Sequence, residues 1–499
     1  MALGVLRYMS ATSNIIHDCD EVFNYWEPLH YLLYKSGFQT WEYSSAFALR
    51  SYLYIFFHAL VAEPVSWLFS DEKVQTVPWP NLIVTETALV VALSKKYGNR
   101  LACYTLAMLC LTSGCFFAST SFLPSSFSMY SVTLSSALFL LGRHAMAVSV
   151  AAAGVIVGWP FSVLVVLPLT IYSLTKGNFK LVFLSGTITS ILILMDIVCC
   201  QSIGLQRFRG GESHLYGTEG PLFYFKNGFN NFNFCFILAL LFLAILPIAR
   251  KKYAPDLLVV VAPNLNLLSI CRFLYPIYPL ICIAAAAVIE SIPDLFRDKY
   301  AIEDSIIVKV AKAIRPIVLS VILCASHSRT FSLLHGYSAP LAIYKHLEHH
   351  DDAGVGSVLC VGSEWHRYPS SFFVPSYISQ VRWIDDGFRG LLPFPFNSTL
   401  GGTASSPPHF NSKNTASDQQ YLKDLDVCTF LVELDLRRPY PSRGSDLSQW
   451  ETLAAIHFLD RELSPAVYRS FFIPHLWHKE NAFGLYRLLR RVPARSGPS

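Results

Sequence analysis

Long apolar stretches separated by short polar ones dominate the first two thirds of the chain. They fall at 46–69, 74–94, 101–123, 129–141, 145–172, 181–205, 232–249, 256–292 and 314–325. A helix needs about 20 residues at ~1.5 Å each to cross a ~30 Å hydrocarbon layer, and several of these runs have that length. Run 145–172 exceeds it and carries Gly158-Trp159-Pro160. Proline removes a backbone donor there, so the run is expected to break and to cross twice. Beyond Ser326 the apolar runs shrink to strand length, at Ser357–Val361 and Thr429–Leu434, between turn-rich stretches such as Gly401–Ser417. The pattern predicts an all-α polytopic membrane protein with a C-terminal α+β lumenal domain. The expected divisions are an N-terminal segment with an acidic, aromatic loop at 1–45, a membrane bundle at 46–325 and a soluble domain at 326–499.

Composition agrees with a lipid-embedded body. Of 499 residues, 53% are hydrophobic and 15% charged, against about 25% charged in an average soluble domain. Between Leu101 and Leu205 the charged residues are Arg143, Lys176, Lys180 and Asp196. The net charge of +5 is read as loop markers and not as a nucleic-acid footprint. Lys95-Lys96 with Arg100, Arg143, Lys176 with Lys180, and Arg250-Lys251-Lys252 are expected on the cytosolic side. That assignment makes loop 206–231 lumenal. Stretch 46–69, with Arg50 and Glu63, is left as a span or a re-entrant segment. The 12 cysteines show no metal-ligand spacing and say little about redox compartment. Met1 to Ile16 lacks signal-peptide character, and as a helix it reaches about 24 Å, too short to span.

The chemistry is concentrated before the bundle. His17-Asp18-Cys19-Asp20-Glu21, Asn24-Tyr25-Trp26-Glu27-Pro28 and Phe38-Gln39-Thr40-Trp41-Glu42-Tyr43 place five carboxylates between Asp18 and Glu42, beside two tryptophans. Aromatic faces and carboxylates suit sugar recognition, and a carboxylate is a usual base for a sugar hydroxyl. An interfacial aromatic belt is the competing reading. The adjacent acids favour function, because carboxylates near lipid are costly unless used.

The stretches HDCDEVFNYWEPLHYLLY, GFQTWEYS, SFLPSSFSMY, GWPFS and LYGTEGPLFYFKNGFNNFN, with GSEWHRYPSSFFVP (Gly362–Pro375) and FRGLLPFPF, carry a resemblance. They resemble the dolichyl-phosphate-mannose-dependent α-1,2-mannosyltransferases of N-glycan precursor assembly, in glycosyltransferase family 22 with the multi-spanning GT-C fold. The resemblance implies an endoplasmic-reticulum membrane enzyme with a lumenal site. Its substrates would be dolichyl-phosphate mannose and a dolichyl-diphosphate-linked oligosaccharide. It implies a single inverting displacement by a catalytic acidic pair, Asp20-Glu21, with Asp20 as general base and Glu21 and Asp18 holding or polarising the acceptor. Trp26, Glu27, Trp41 and Glu42 become acceptor contacts, and Tyr216, Glu219 and Arg272 donor-side contacts. Membrane lipid is the surrounding partner, and neither a cofactor nor a metal is called for.

Three departures accompany the resemblance. The family carries a His-Lys-Glu-Glu-Arg-Phe motif before LYPIYPL, of which Arg272-Phe273 remains here. Residues 75–81 interrupt a run with two prolines, and 256–292 is shorter than the ~40 residues two crossings require. These point to internal deletions and to a second reading, a catalytically impaired protein that binds glycolipid or a partner. A transporter is a third, weakened by the lack of an internal repeat. The chain also holds a single acceptor sequon, Asn397-Ser398-Thr399.

Overall fold

The computed structural model describes residues 2–16, 18–68, 80–176, 179–199, 221–245, 251–253, 255–266, 274–296, 306–438 and 443–492. It is mostly helical with a sheet region toward the C-terminus. The residues divide into two compact units. One holds the described residues of 2–14, 80–198 and 221–331; the other holds those of 15–68 and 332–492. Segment 15–68 therefore groups with residues 332–492, where the apolar pattern put the start of the bundle 46–325 at residue 46.

The first unit is a helical bundle. Its apolar positions are buried among helices Pro80–Tyr97, Asn99–Leu111, Pro124–Leu140, Phe234–Ala244, Asp256–Asn266 and Tyr278–Leu295. The expected break at Gly158-Trp159-Pro160 is present. Helix His144–Ala153 passes into a π turn, Gly154–Gly158, Trp159 turns extended, and Val163–Lys176 resumes the helix. His144 lies 3.2 Å from Ser173, so Arg143 and Lys176 share one end of this unit. Lys96 pairs with Asp256 and Lys252 with Glu290 at 3.1 Å, fastening further basic loops to their neighbours.

Helix Ala2–Ser13 is integral to the bundle because Arg7, fully buried, binds Glu86 through two nitrogens at 2.6 and 3.1 Å. The same guanidinium donates to the carbonyls of Leu109 at 2.7 Å and Cys115 at 3.3 Å. Those carbonyls flank the extended residue Thr112, where the helix is interrupted. Arg7 thus supplies donors that the broken helix lacks.

Among the described residues one helical stretch, Tyr275–Leu295, is long and apolar enough for a span. Leu222–Phe232 with Phe234–Ala244 qualifies jointly across a 115° bend.

The second unit is built on a five-stranded mixed sheet of β2 (Ser357–Val361), β3 (Ile378–Trp383), β5 (Phe430–Asp435), β6 (Trp450–Leu459) and β7 (Phe483–Arg491), in the order β3-β2-β5-β7-β6. The first three run parallel, and β7 joins antiparallel to β5 and β6. β2 is buried along its whole length, as its continuous apolar run demands. A disulfide joins Cys360 in β2 to Cys428, just before β5. The short strands β1 (Phe38–Gln39) and β4 (Phe394–Pro395) pair antiparallel. Val22, Phe23 and Phe38 share one core with Tyr368, Trp383 and Phe430. That shared core is why the acidic segment belongs to this unit.

Candidate active site

The acidic segment is a helix with a local fault. Cys19–Glu21 begins it, Val22–Trp26 widens into a π turn, and Glu27–Tyr34 completes it. Asp18 caps the start, its side chain accepting from the Asp20 amide at 3.0 Å. The π turn brings residues five apart together, and Trp26 Nε1 donates to Glu21 at 3.3 Å across it. Asp20 is exposed. Asn24, one turn on, donates to it at 3.5 Å and accepts from the Thr40 hydroxyl at 2.7 Å. Thr40 thereby fixes the amide that steadies the Asp20 carboxylate.

Asp20, Asn24, Thr40, Trp41 and Glu42 line a cleft of about 210 Å³. Trp365, Phe388, Leu391, Pro393 and Asn414, from the sheet-bearing part of the unit, complete its lining. Trp365 and Trp41 are half-buried, and the Trp365 and Phe388 rings lie 4.9 Å apart. Glu42 is tied to Arg50 at 2.7 Å, and Arg50 also donates to the Tyr25 hydroxyl. The cleft thus joins one exposed carboxylate to aromatic faces and an amide, a combination suited to a hydroxyl-bearing ring. It is smaller than the about 300–1,000 Å³ of drug-sized sites, so its scale matches a terminal sugar unit and not a whole oligosaccharide.

Asp20, Trp41 and Glu42 are thus brought to the cleft, whereas Asp18, Glu21, Trp26 and Glu27 do not line it. Glu27 departs furthest from its expected role as an acceptor contact. It is fully buried and accepts from the Phe38 amide at 3.0 Å, the Ser370 hydroxyl at 2.8 Å, and the Ser371 amide and hydroxyl at 2.6 and 2.8 Å. Burial pushes its carboxyl up, and the hydrogen bonds from Ser371, Ser370 and Phe38 pull it back. Ser370 is held at φ 144°, ψ 159°, a region that side chains rarely adopt. Gly37 has φ 145°, and a Cβ there would stand 2.7 Å from the Glu27 carbonyl oxygen. Glu27 is fully buried and presents no surface to a ligand. Tyr216, Glu219 and Arg272 lie outside the described residues.

Sequence reasoning assigned no role to Trp365, Phe388 and Asn414. The first two sit in the aromatic-rich stretches GSEWHRYPSSFFVP and FRGLLPFPF; Asn414 lies in a turn-rich loop without a distinguishing signal. Asp18, Cys19 and Asp20 offer ligand atoms within 4.8 Å of one another. Burial, with the charges of Asp20 and Asp18, pushes the Cys19 thiol up to about 12.

The Alg9-like mannosyltransferase family model matches residues 1–206 and 205–375. The chain belongs to that family. It is 64% identical to alpha-1,2-mannosyltransferase ALG9 of Arabidopsis thaliana, over 99% of this chain and 91% of the relative. Against the Mus musculus protein of the same name it is 33% identical, covering 99% and 88%. The Schizosaccharomyces pombe relative is 31% identical, covering 99% and 94%. The Arabidopsis comparison runs over 520 positions against 499 residues here, so the relative carries residues without counterpart in this chain. An Archaeoglobus fulgidus oligosaccharyltransferase structure aligns at 11% identity and TM-score 0.41, over 87% of this chain and 69% of that one.

Proposed function

We propose that this Alg9-like chain transfers mannose from dolichyl-phosphate mannose to a dolichyl-diphosphate-linked oligosaccharide in α-1,2 linkage. Its proposed location is the endoplasmic-reticulum membrane, as a multi-pass GT-C protein whose cleft faces the lumen. The observation that carries the reading is the exposed Asp20 carboxylate in the aromatic cleft, steadied by Asn24 and Thr40. The curated relatives are named alpha-1,2-mannosyltransferases.

In the proposed step Asp20 accepts the proton of the acceptor's 2-hydroxyl as that oxygen bonds to C1 of the donor mannose. The bond from C1 to the phosphate oxygen breaks, dolichyl phosphate leaves, and the configuration inverts from β to α. Trp41 and Trp365 hold the acceptor ring, and Glu42, moderated by Arg50, accepts from its other hydroxyls. Asp18 and Glu21 act one step back, capping the helix and bracing Trp26. Tyr216, Glu219 and Arg272 remain the proposed donor-side contacts. The Cys360–Cys428 disulfide supports a lumenal terminal domain, since such bonds persist in oxidising compartments.

The test is mannose incorporation into lipid-linked oligosaccharide by microsomes expressing the chain, with Asp20→Asn as the comparison. Removing a general base costs about 10²–10⁴-fold. The second reading, a glycolipid-binding protein without turnover, draws on the positions this chain lacks relative to its Arabidopsis relative. It predicts no incorporation by the unaltered chain, with recovery when the missing residues are restored.

A further inference from the structure

We propose that Asn397 is an N-glycosylation site, modified by an oligosaccharide delivered from a lipid-diphosphate carrier. The proposal rests on the lumenal placement of the sheet-bearing unit and adds to the transferase reading a covalent modification of the chain itself.

Asn397-Ser398-Thr399 is the single triplet of the acceptor pattern in the chain. All three residues are exposed, in the loop that follows β4. Asn397 Oδ1 accepts from the Thr399 hydroxyl at 2.7 Å and from the Thr399 amide at 3.1 Å. The hydroxyl that the pattern requires at the third position therefore already faces the amide to be modified.

The loop is anchored from beneath. Phe396 stacks on Tyr31 with ring centroids 4.1 Å apart, and its amide donates to the Gly37 carbonyl at 2.9 Å. Ser398 donates to the Lys35 carbonyl at 3.4 Å. A glycan on Asn397 would stand outward from this base without displacing a core side chain. A second, independent observation concerns the compartment. The same unit holds the Cys360–Cys428 disulfide, a bond formed where the environment is oxidising, which is where such glycans are added.

The reaction forms a bond between Asn397 Nδ2 and C1 of the reducing-end sugar. The bond from that C1 to the diphosphate breaks, the lipid diphosphate leaves, and the amide proton passes to base. The donor is a lipid-diphosphate-linked oligosaccharide, and the oligosaccharyl-transfer activity of the host membrane carries out the step.

The experiment expresses the full chain in eukaryotic cells and reads its gel mobility before and after a glycan-removing amidase. The unaltered chain should show a one-glycan shift that Asn397→Gln and Thr399→Ala abolish and Thr399→Ser retains. A control for compartment is Val355→Asn, at a position 93% exposed, which completes a triplet with Gly356 and Ser357. To read the control alone, it is made in the Asn397→Gln background. A shift from the control with none from the unaltered chain would overturn the Asn397 proposal while leaving the unit lumenal. No shift from either would overturn the lumenal reading together with it.

Discussion

Ser371 donates twice to Glu27, through its amide at 2.6 Å and its hydroxyl at 2.8 Å, joining residues 344 positions apart. With the Ser370 hydroxyl and the Phe38 amide, four donors converge on one buried carboxyl. Through them the helix that carries Asp20 is fastened to the loop that carries Trp365. Removing the carboxyl strands all four donors, at about 1–3 kcal/mol for each group left unsatisfied. Glu27→Ala is therefore expected to lower the melting temperature and the yield of folded protein sharply. Thermal unfolding of the purified variant checks this. An acceptor contact would instead raise KM with stability unchanged.

The same carboxyl gives stability a pH dependence. Burial holds its folded value above the ordinary 4.5, so the fold favours the protonated form more than the unfolded chain does. This contribution is complete below 4.5 and is lost as pH rises through the folded value. Melting temperatures across that window should fall more steeply with pH in the unaltered protein than in Glu27→Gln. Equal slopes would remove Glu27 as the source.

Trp365 lines the same cleft as Asp20. If it holds the acceptor ring, Trp365→Ala should raise the acceptor KM by about three- to tenfold, the scale of one aromatic contact. The kcat should stay near its starting value. Initial rates over a range of lipid-linked acceptor concentrations separate the two. A fall in kcat at unchanged KM would contradict a holding role.

The disulfide closes a sequence separation of 68. Its removal by Cys360→Ser with Cys428→Ser is expected to cost about 2–5 kcal/mol. Differential scanning under oxidising conditions should show this as a lower transition. Reductant should bring the unaltered protein down to the same level.

What the sequence made legible follows from local physics. A buried parallel strand reads as a continuous apolar run, so β2 appears at Ser357–Val361 as expected. Glycine and proline together at Gly158-Trp159-Pro160 interrupt the apolar run, so the break at Trp159 was also readable, whereas Pro168 in the same run sits inside Val163–Lys176. The crowding of carboxylates and aromatics between Asp18 and Glu42 marked part of the cleft lining. The rest was hidden, because Trp365 and Asn414 reach it through the folding of the terminal domain and not through spacing along the chain. Cys360 and Cys428 were equally silent, sitting among apolar neighbours as unpaired thiols also do. Glu27 looked like its neighbours Glu21 and Glu42. Only packing against Ser370 and Ser371 distinguishes it.

In the proposed reaction the Asp20 carboxylate takes the proton of the acceptor hydroxyl. Transfer of labelled mannose from dolichyl-phosphate mannose to lipid-linked oligosaccharide tests it most directly, with the unaltered protein and Asp20→Asn compared at equal membrane content. Transfer is expected from the unaltered chain and a loss of about 10²–10⁴-fold from the variant, with melting temperature and glycolipid binding retained. Equal rates in the two proteins would contradict it.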